Sequence, residues 1–228
     1  FPQHRCHDWY LAYGGDPVEL KDELLHKPTG CAKGMGGSAS IHCPQIGMVG
    51  HDGHMGTQAP IGVGSALATG HKRLVILGDA SVEEDYVIGG AIPFAAHKKA
   101  PVLFVCVDNN LSILTEVKVR RNWNAANIAQ SYGMDAVEIT DDPWLIMHYV
   151  KEMRCNLPAF LNIHTVRHLW HNGTGCDGPP EWDRFSMVKQ ELKRLGFEKQ
   201  VCEIETGVQE YMVSLWAGDL EGVKKDGR

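Results

Sequence analysis

No apolar run in this chain approaches the roughly 20 residues that a membrane-spanning helix needs, so no membrane partner is expected. A cationic excess is missing too. Against 28 Asp and Glu stand 22 Lys and Arg, a net charge of −6, which argues against a nucleic-acid partner. Seven cysteines are present at irregular spacing, but no two form a C-x-x-C pair, which excludes a zinc ribbon or a thioredoxin-type motif. An odd, irregular cysteine set fits a reducing compartment, and a cytoplasmic location is expected. The 25 Gly and 11 Pro follow no period, which removes collagen-like classes. There is no internal repeat and no linker composition, so residues 1–228 read as one domain. The chain opens on FPQHRCHDWY with no signal peptide and is expected to lack an earlier N-terminal segment. That leaves the mitochondrial matrix open as a location. What the chain does have is 43% hydrophobic residues over a length sufficient for a core without disulfide or metal staples.

Two continuous runs of Val, Ile and Leu, residues 74–77 and 101–107, read as strands covered on both faces. Residues 83–99 between them are long enough for a crossover helix, weakened in the middle by Gly89, Gly90 and Pro93. Residues 136–139 and 158–164 supply two further strands, and 124–132 and 143–155 carry helical patterns. This alternation predicts an α/β fold with a doubly wound, mostly parallel sheet and flanking helices. The small residues of 57–69 suit a helix packed close against another backbone. Two amphipathic stretches, 181–195 and 199–216, predict a C-terminal helix pair that covers the end of the core or makes a subunit contact.

Open parallel sheets bind ligands at the carboxyl ends of their strands. There the first run ends in Gly78-Asp79-Ala80-Ser81 and the second in Asp108-Asn109-Asn110. A carboxylate and a carboxamide at adjacent strand ends suit a hard divalent cation such as magnesium, which takes oxygen ligands and bridges to phosphate. Gly78 allows a tight turn, and the small Ala80 and Ser81 let backbone amides approach a phosphate. The basic run Lys118, Arg120 and Arg121 reads most simply as a solvated segment or a subunit contact.

The Gly78-Asp79-Ala80 turn with Asn109-Asn110 about 30 residues on resembles the thiamine diphosphate motif. Residues 31–38, Cys-Ala-Lys-Gly-Met-Gly-Gly-Ser, are similar to the C-A-K-G-x-G-G-S segment of one family. That family is the alpha chain of the decarboxylating component of 2-oxo acid dehydrogenases, pyruvate dehydrogenase type. The likeness continues through residues 56–60 and from Thr165-Val166-Arg167 to His171. It implies the thiamine diphosphate-binding fold with thiamine diphosphate and magnesium as cofactors. The implied metal ligands are the Asp79 and Asn110 side chains and the Ser112 carbonyl. Gly78, Ala80 and Ser81 would meet the diphosphate through their backbone, and His4 and Arg5 would grip it. Gly53 and Met55 would meet the aminopyrimidine, while His42, His54 and His171 are the candidate catalytic histidines, with His171 also beside the diphosphate.

The resemblance further implies a beta subunit in an alpha2-beta2 heterotetramer, a 2-oxo acid substrate and a lipoyl acyltransferase as acceptor. The carboxylate that must face the pyrimidine N1′ has no counterpart in this chain and would come from the beta subunit. Several positions depart from the family pattern. Ala80 replaces a glycine, Glu83-Glu84-Asp85 is unusually acidic, His51 and His54 flank the aminopyrimidine position, and Trp170-His171-Asn172 replaces Gly-His-Ser. These departures put pyruvate itself in question as substrate. They leave open a ketol or acyl transferase for a sugar-like acceptor, and a non-catalytic partner that has lost the cofactor.

Overall fold

The computed structural model describes residues 1–4, 6–50, 52–168 and 178–223. Helices α1 (His7–Ala12) and α2 (Pro17–Leu24) come first, and after a long irregular stretch α3 (Gln58–Thr69) leads into β1 (Arg73–Gly78). Then α4 (Ile92–Lys98) crosses to β2 (Val102–Asp108), and a small hairpin of β3 (Leu111–Ser112) and β4 (Thr115–Glu116) follows. The chain continues through α5 (Val117–Arg120), α6 (Ala125–Ser131), β5 (Asp135–Thr140), α7 (Pro143–Met153) and β6 (Ala159–His164). It closes with α8 (Arg184–Arg194) and α9 (Glu198–Val223).

Four strands form an all-parallel sheet in the order β1-β2-β6-β5, with Ile76 beside Val105 and Leu161 beside both Val105 and Val137. The chain steps from β1 to β2, passes over the place of β6 to build β5, then returns through α7. Right-handed crossovers in opposite directions put helices on opposite faces. Accordingly Val75, Leu77, Phe104, Cys106 and Phe160 pack with residues of α3, α4 and α6 on one face. Ile76, Leu103, Val105, Leu161 and Ile163 pack with Ile146, Val150 and Met153 of α7 on the other. The expected doubly wound α/β sheet is present, its strands apolar because both faces are covered.

Local chemistry sets the ends of these elements. Asp142 caps α7 by accepting from the Trp144 and Leu145 amides, and Asn124 caps α6 through the Asn127 amide. Gly62 explains the small-residue helix: a Cβ there would lie 2.5 Å from Val75 Cγ2, so α3 sits directly on β1. The crossover over 83–99 is not one helix. A 3-10 turn (Ser81–Glu83) and a π-type turn (Val87–Ala91) precede α4. Pro93 has no N–H for the Gly89 carbonyl and its ring crowds that carbonyl, while Gly89 and Gly90 let the backbone widen.

The expected C-terminal helix pair is present, but it does not cover the core. Neither helix contributes a residue to the three core clusters of the described residues. They are attached by ion pairs: Arg184 to Asp141 at 2.8 Å, and Lys21 to Asp219 at 2.8 Å. Ile204, Val208 and Val213 of α9 are exposed. Amphipathic spacing identifies a helix with an apolar stripe but not what lies against that stripe.

Candidate functional site

The carboxyl ends of β1 and β2 bring the strand-end residues into one region. Asp79 follows β1 and is 3% exposed, and Asp108 ends β2 and is 7% exposed. Asp108 Oδ1 accepts from the Asn110 amide at 2.9 Å, which turns the chain so that Asn110 adopts φ 63°. The Val117 amide returns to this turn, 3.1 Å from the Asn110 carbonyl and 3.3 Å from its Oδ1. Ser112 follows in the hairpin, paired with Thr115.

A cleft of about 450 Å³ opens here, lined by Met55, Ala80, Glu83, Asp85, Ser112 and Arg120 among others. Three sequence-expected residues, Met55, Ala80 and Ser112, therefore share one cavity. The Tyr86 hydroxyl donates to the Met55 carbonyl and ties this segment to the acidic loop. Gly78 at the end of β1 approaches Gln3 closely, since a Cβ would lie 3.1 Å from Gln3 Oε1. Ser81 is buried in the 3-10 turn beside Ala80.

His42, Gly53 and His54 do not line this cleft, and neither do Gly78, Asp79, Ser81 and Asn110. His42 Nδ1 accepts from the Gly50 amide at 3.1 Å, closing its own loop. His54 is exposed in the turn before α3, its amide bonded to Asp52 Oδ1 at 3.0 Å. Gly53, at φ 100°, takes a conformation in that turn that suits only glycine. His4 is partly buried near the chain start. Arg5, His51, Trp170, His171 and Asn172 lie outside the described residues.

Lys118 of the basic run is exposed as expected, but Arg120 and Arg121 are the clearest departure from expectation. Arg120 is not a solvated cation: its guanidinium pairs with Asp79 and lies 2.8 Å from Glu83 Oε1. Arg121 Nε lies 2.8 Å from the same Glu83 oxygen, and its guanidinium stacks 4.4 Å from the centre of the Trp123 ring. Both contacts to Glu83 lie off the N–H axes and are charge contacts rather than hydrogen bonds. Burial, and next the Asp108 charge, push the Asp79 pKa up, and Arg120 opposes both. A run of Lys and Arg reads as surface because sequence does not show which cations find buried carboxylates.

Two further groups escaped the sequence reading. On the sheet face of Asp79 and Asp108, buried Asn162 points its Nδ2 at Asp108 Oδ2, 3.3 Å away, and Glu138 Oε1, 3.4 Å away. His164 bonds the same Glu138 oxygen at 2.8 Å. Asn162, Glu138 and His164 together hold Asp108, and through it the Asn110 turn. The second group surrounds Glu23, which is fully buried. Its Oε2 accepts from the Ala32 and Gly34 amides at 2.8 Å each, and its Oε1 from Gly36 at 2.7 Å and Gly37 at 3.0 Å. The Cys31-Ala32-Lys33-Gly34 segment thus wraps a carboxylate of the chain itself. Burial pushes the Glu23 pKa up, but the four amides outweigh it and hold it below its ordinary value.

Among the described residues no group of three or more His, Cys, Asp or Glu side chains is arranged to hold a metal ion. The oxygen set of Asp79, Asn110 and Ser112 nevertheless fits magnesium, which keeps several waters and takes one or two carboxylates with phosphate oxygens. A parallel sheet wound on both faces, with oxygen-bearing side chains at its carboxyl edge, defines a doubly wound α/β domain, a class that takes its ligands at that edge. Within that class, the chain belongs to the dehydrogenase E1 component family, whose model matches residues 1–192.

The chain is 36% identical over 182 residues to the mitochondrial pyruvate dehydrogenase E1 component subunit alpha of Dictyostelium discoideum, covering 74% of this chain and 47% of that one. It is 30% identical over 183 residues to the pyruvate dehydrogenase E1 component subunit alpha of Rickettsia bellii, covering 74% and 55% respectively. It spans about half the length of these curated relatives. Relatives thus include mitochondrial and bacterial forms, and no described helix is long and apolar enough to cross a membrane.

Proposed function

We propose that this chain is the diphosphate-anchoring part of the alpha subunit of a thiamine diphosphate- and magnesium-dependent component that decarboxylates a 2-oxo acid. The observation that supports this reading is that Asp79 directly follows β1 while Asn110 and Ser112 follow β2, the strand paired beside it, in a chain of this family. Asp79 and Asn110 would hold magnesium through their side chains and Ser112 through its carbonyl. The amides of Ala80 and Ser81, after the turn at Gly78, would face the diphosphate, with His4 and Arg5 on its other side. The backbone of Gly53 and Met55 would support the aminopyrimidine. When bound, thiamine diphosphate supplies the electron sink that makes loss of carbon dioxide from a 2-oxo acid feasible.

The chain's own share of the work is to fix charge and orientation. Asp108 braces the Asn110 turn, and Asn162, Glu138 and His164 brace Asp108. His42, His54 and His171 are the proposed histidines of the site mouth. A beta subunit in an alpha2-beta2 assembly would bring the carboxylate for the pyrimidine N1′, and a lipoyl acyltransferase would accept the acyl group.

Calorimetry of the full-length protein with thiamine diphosphate and magnesium tests the assignment. Asp79→Ala removes the charged oxygen ligand and is expected to abolish magnesium-dependent binding. Asn110→Ala removes a neutral ligand and is expected to weaken it less. Wild-type affinity in both variants overturns the metal assignment, and no binding by the wild type favours a non-catalytic partner.

A further inference from the structure

We propose that Arg120 is a counter-ion switch that makes the metal and the diphosphate bind together rather than singly. This inference rests on the site assigned under Proposed function and concerns what Arg120 does there.

Asp79 is nearly buried, and the charge that meets its carboxylate is the Arg120 guanidinium. A divalent cation on Asp79 would stand within a few ångströms of that guanidinium, in a site with little water to screen the repulsion. Arg120 must therefore leave Asp79 for the metal to enter. The structure gives it somewhere to go, because Arg120 also lines the cleft shared by Ala80, Ser112 and Met55, where the diphosphate is assigned.

The two neighbouring arginines are held very differently. Arg121 stacks on Trp123 and donates to the Trp123 carbonyl at 3.0 Å. Arg120 is held by the carboxylates of Asp79 and Glu83 alone, and its buried Nε has no hydrogen-bond partner among the described residues. Glu83 would keep Arg121 at 2.8 Å after Arg120 moves, so no buried carboxylate is stranded. Arg120 also ends α5, a four-residue helix, so a change of side-chain rotamer suffices and no long element need shift.

The charges then explain the coupling. Metal alone must break the buried pair with Asp79, and the displaced guanidinium meets only Glu84 and Asp85, which are less buried than Asp79 and so offer a weaker, water-screened contact. Diphosphate alone meets Glu83, Glu84 and Asp85 at the cleft wall and gains no cation from that wall, because Arg120 is committed to Asp79. When both arrive, the metal takes Asp79 and the planar guanidinium turns to phosphate oxygens, which its fork matches. Each ligand raises the affinity of the other by the same factor, as linkage requires.

The test measures manganese binding to the full-length protein by the paramagnetic resonance signal of free manganese. Titrations are run with metal alone and with saturating thiamine diphosphate, for the wild type, Arg120→Gln, Arg120→Lys and Asp79→Ala. In the wild type, thiamine diphosphate is expected to tighten manganese binding by about 50-fold, within the usual range for coupled sites. Arg120→Gln is expected to bind manganese alone roughly tenfold tighter and to lose most of the coupling. Arg120→Lys keeps the charge and is expected to keep most of the competition, which separates a charge effect from a packing defect. If Arg120→Gln matches the wild type in both titrations, or binds metal alone more weakly while Arg120→Lys is normal, the switch is wrong. If instead Asp79→Ala binds manganese as the wild type does, the metal assignment itself fails, and the switch falls with it.

Discussion

At the scale of single residues, Glu23 shows how a side chain can organise a segment without leaving a mark in its spelling. Four backbone amides converge on its buried carboxylate, and amides belong to every residue type. The Cys31 to Ser38 segment was therefore legible as a family resemblance but not as a loop wrapped around an anion. Gly36 is fixed by that wrapping, since a Cβ there would lie 2.1 Å from the Ser40 carbonyl oxygen. Because the folded pKa of Glu23 is lowered, its stabilisation is complete above the unfolded value, about 4.3, and is lost as pH falls through the folded value. Glu23→Gln should therefore flatten the acid side of a stability-against-pH curve measured by urea unfolding between pH 3 and 7. Glu23→Ala leaves four buried donors without an acceptor and should cost on the order of 3 kcal/mol or more at pH 7. The strand-end residues lie at the opposite extreme. Asp79 and Asn110 were readable because the apolar runs before them announce a strand, and parallel strands end at ligands. Arg120 and Arg121 were not, because charge in a sequence is silent about its counter-ion.

At the scale of elements, all four sheet strands and the helices α3, α6 and α7 were legible from their patterns, for one reason. A strand or helix that faces a core must repeat its apolar residues at the period of its own geometry. The short α1, α2 and α5 and the two-residue strands of the hairpin gave no such signal, as too few residues are involved for a period to show. Helix α3 supplies a sharp test of packing against propensity. Alanine is favoured over glycine inside a helix by about 1 kcal/mol. At Gly64, where nothing lies within 4 Å of an added Cβ, Gly64→Ala should raise stability by up to that amount. At Gly62 the new Cβ would sit 2.5 Å from Val75 Cγ2, and overpacking of about 1–3 kcal/mol outweighs the gain. Gly62→Ala should lower the urea midpoint while Gly64→Ala raises it, and shifts of the same sign would mean that α3 does not rest on β1 as described.

At the scale of the whole molecule, the proposed function gives this chain the strand-end oxygen donors and leaves the carboxylate for the pyrimidine to a beta subunit. On that reading the chain alone is expected to give no turnover with 2-oxo acids, even with cofactor and metal. Carbon dioxide release measured before and after adding the beta subunit checks this, and steady release by the lone chain would contradict the two-chain reading. The strand order has a consequence of another kind, for how the protein is made. Synthesis proceeds from the amino end, so β1 and β2 can pair once residue 108 has emerged. The next sheet strand made is β5, but it has no partner, because the strand between it and β2 is β6, completed only at residue 164. For that interval the nascent chain carries the bare side of β2 and both edges of β5, each able to recruit a stranger. Nearest-neighbour pairing would have closed the sheet as it grew. This order makes folding wait on translation, and it makes the stretch of time between β5 and β6 the one in which the newborn chain most needs a chaperone.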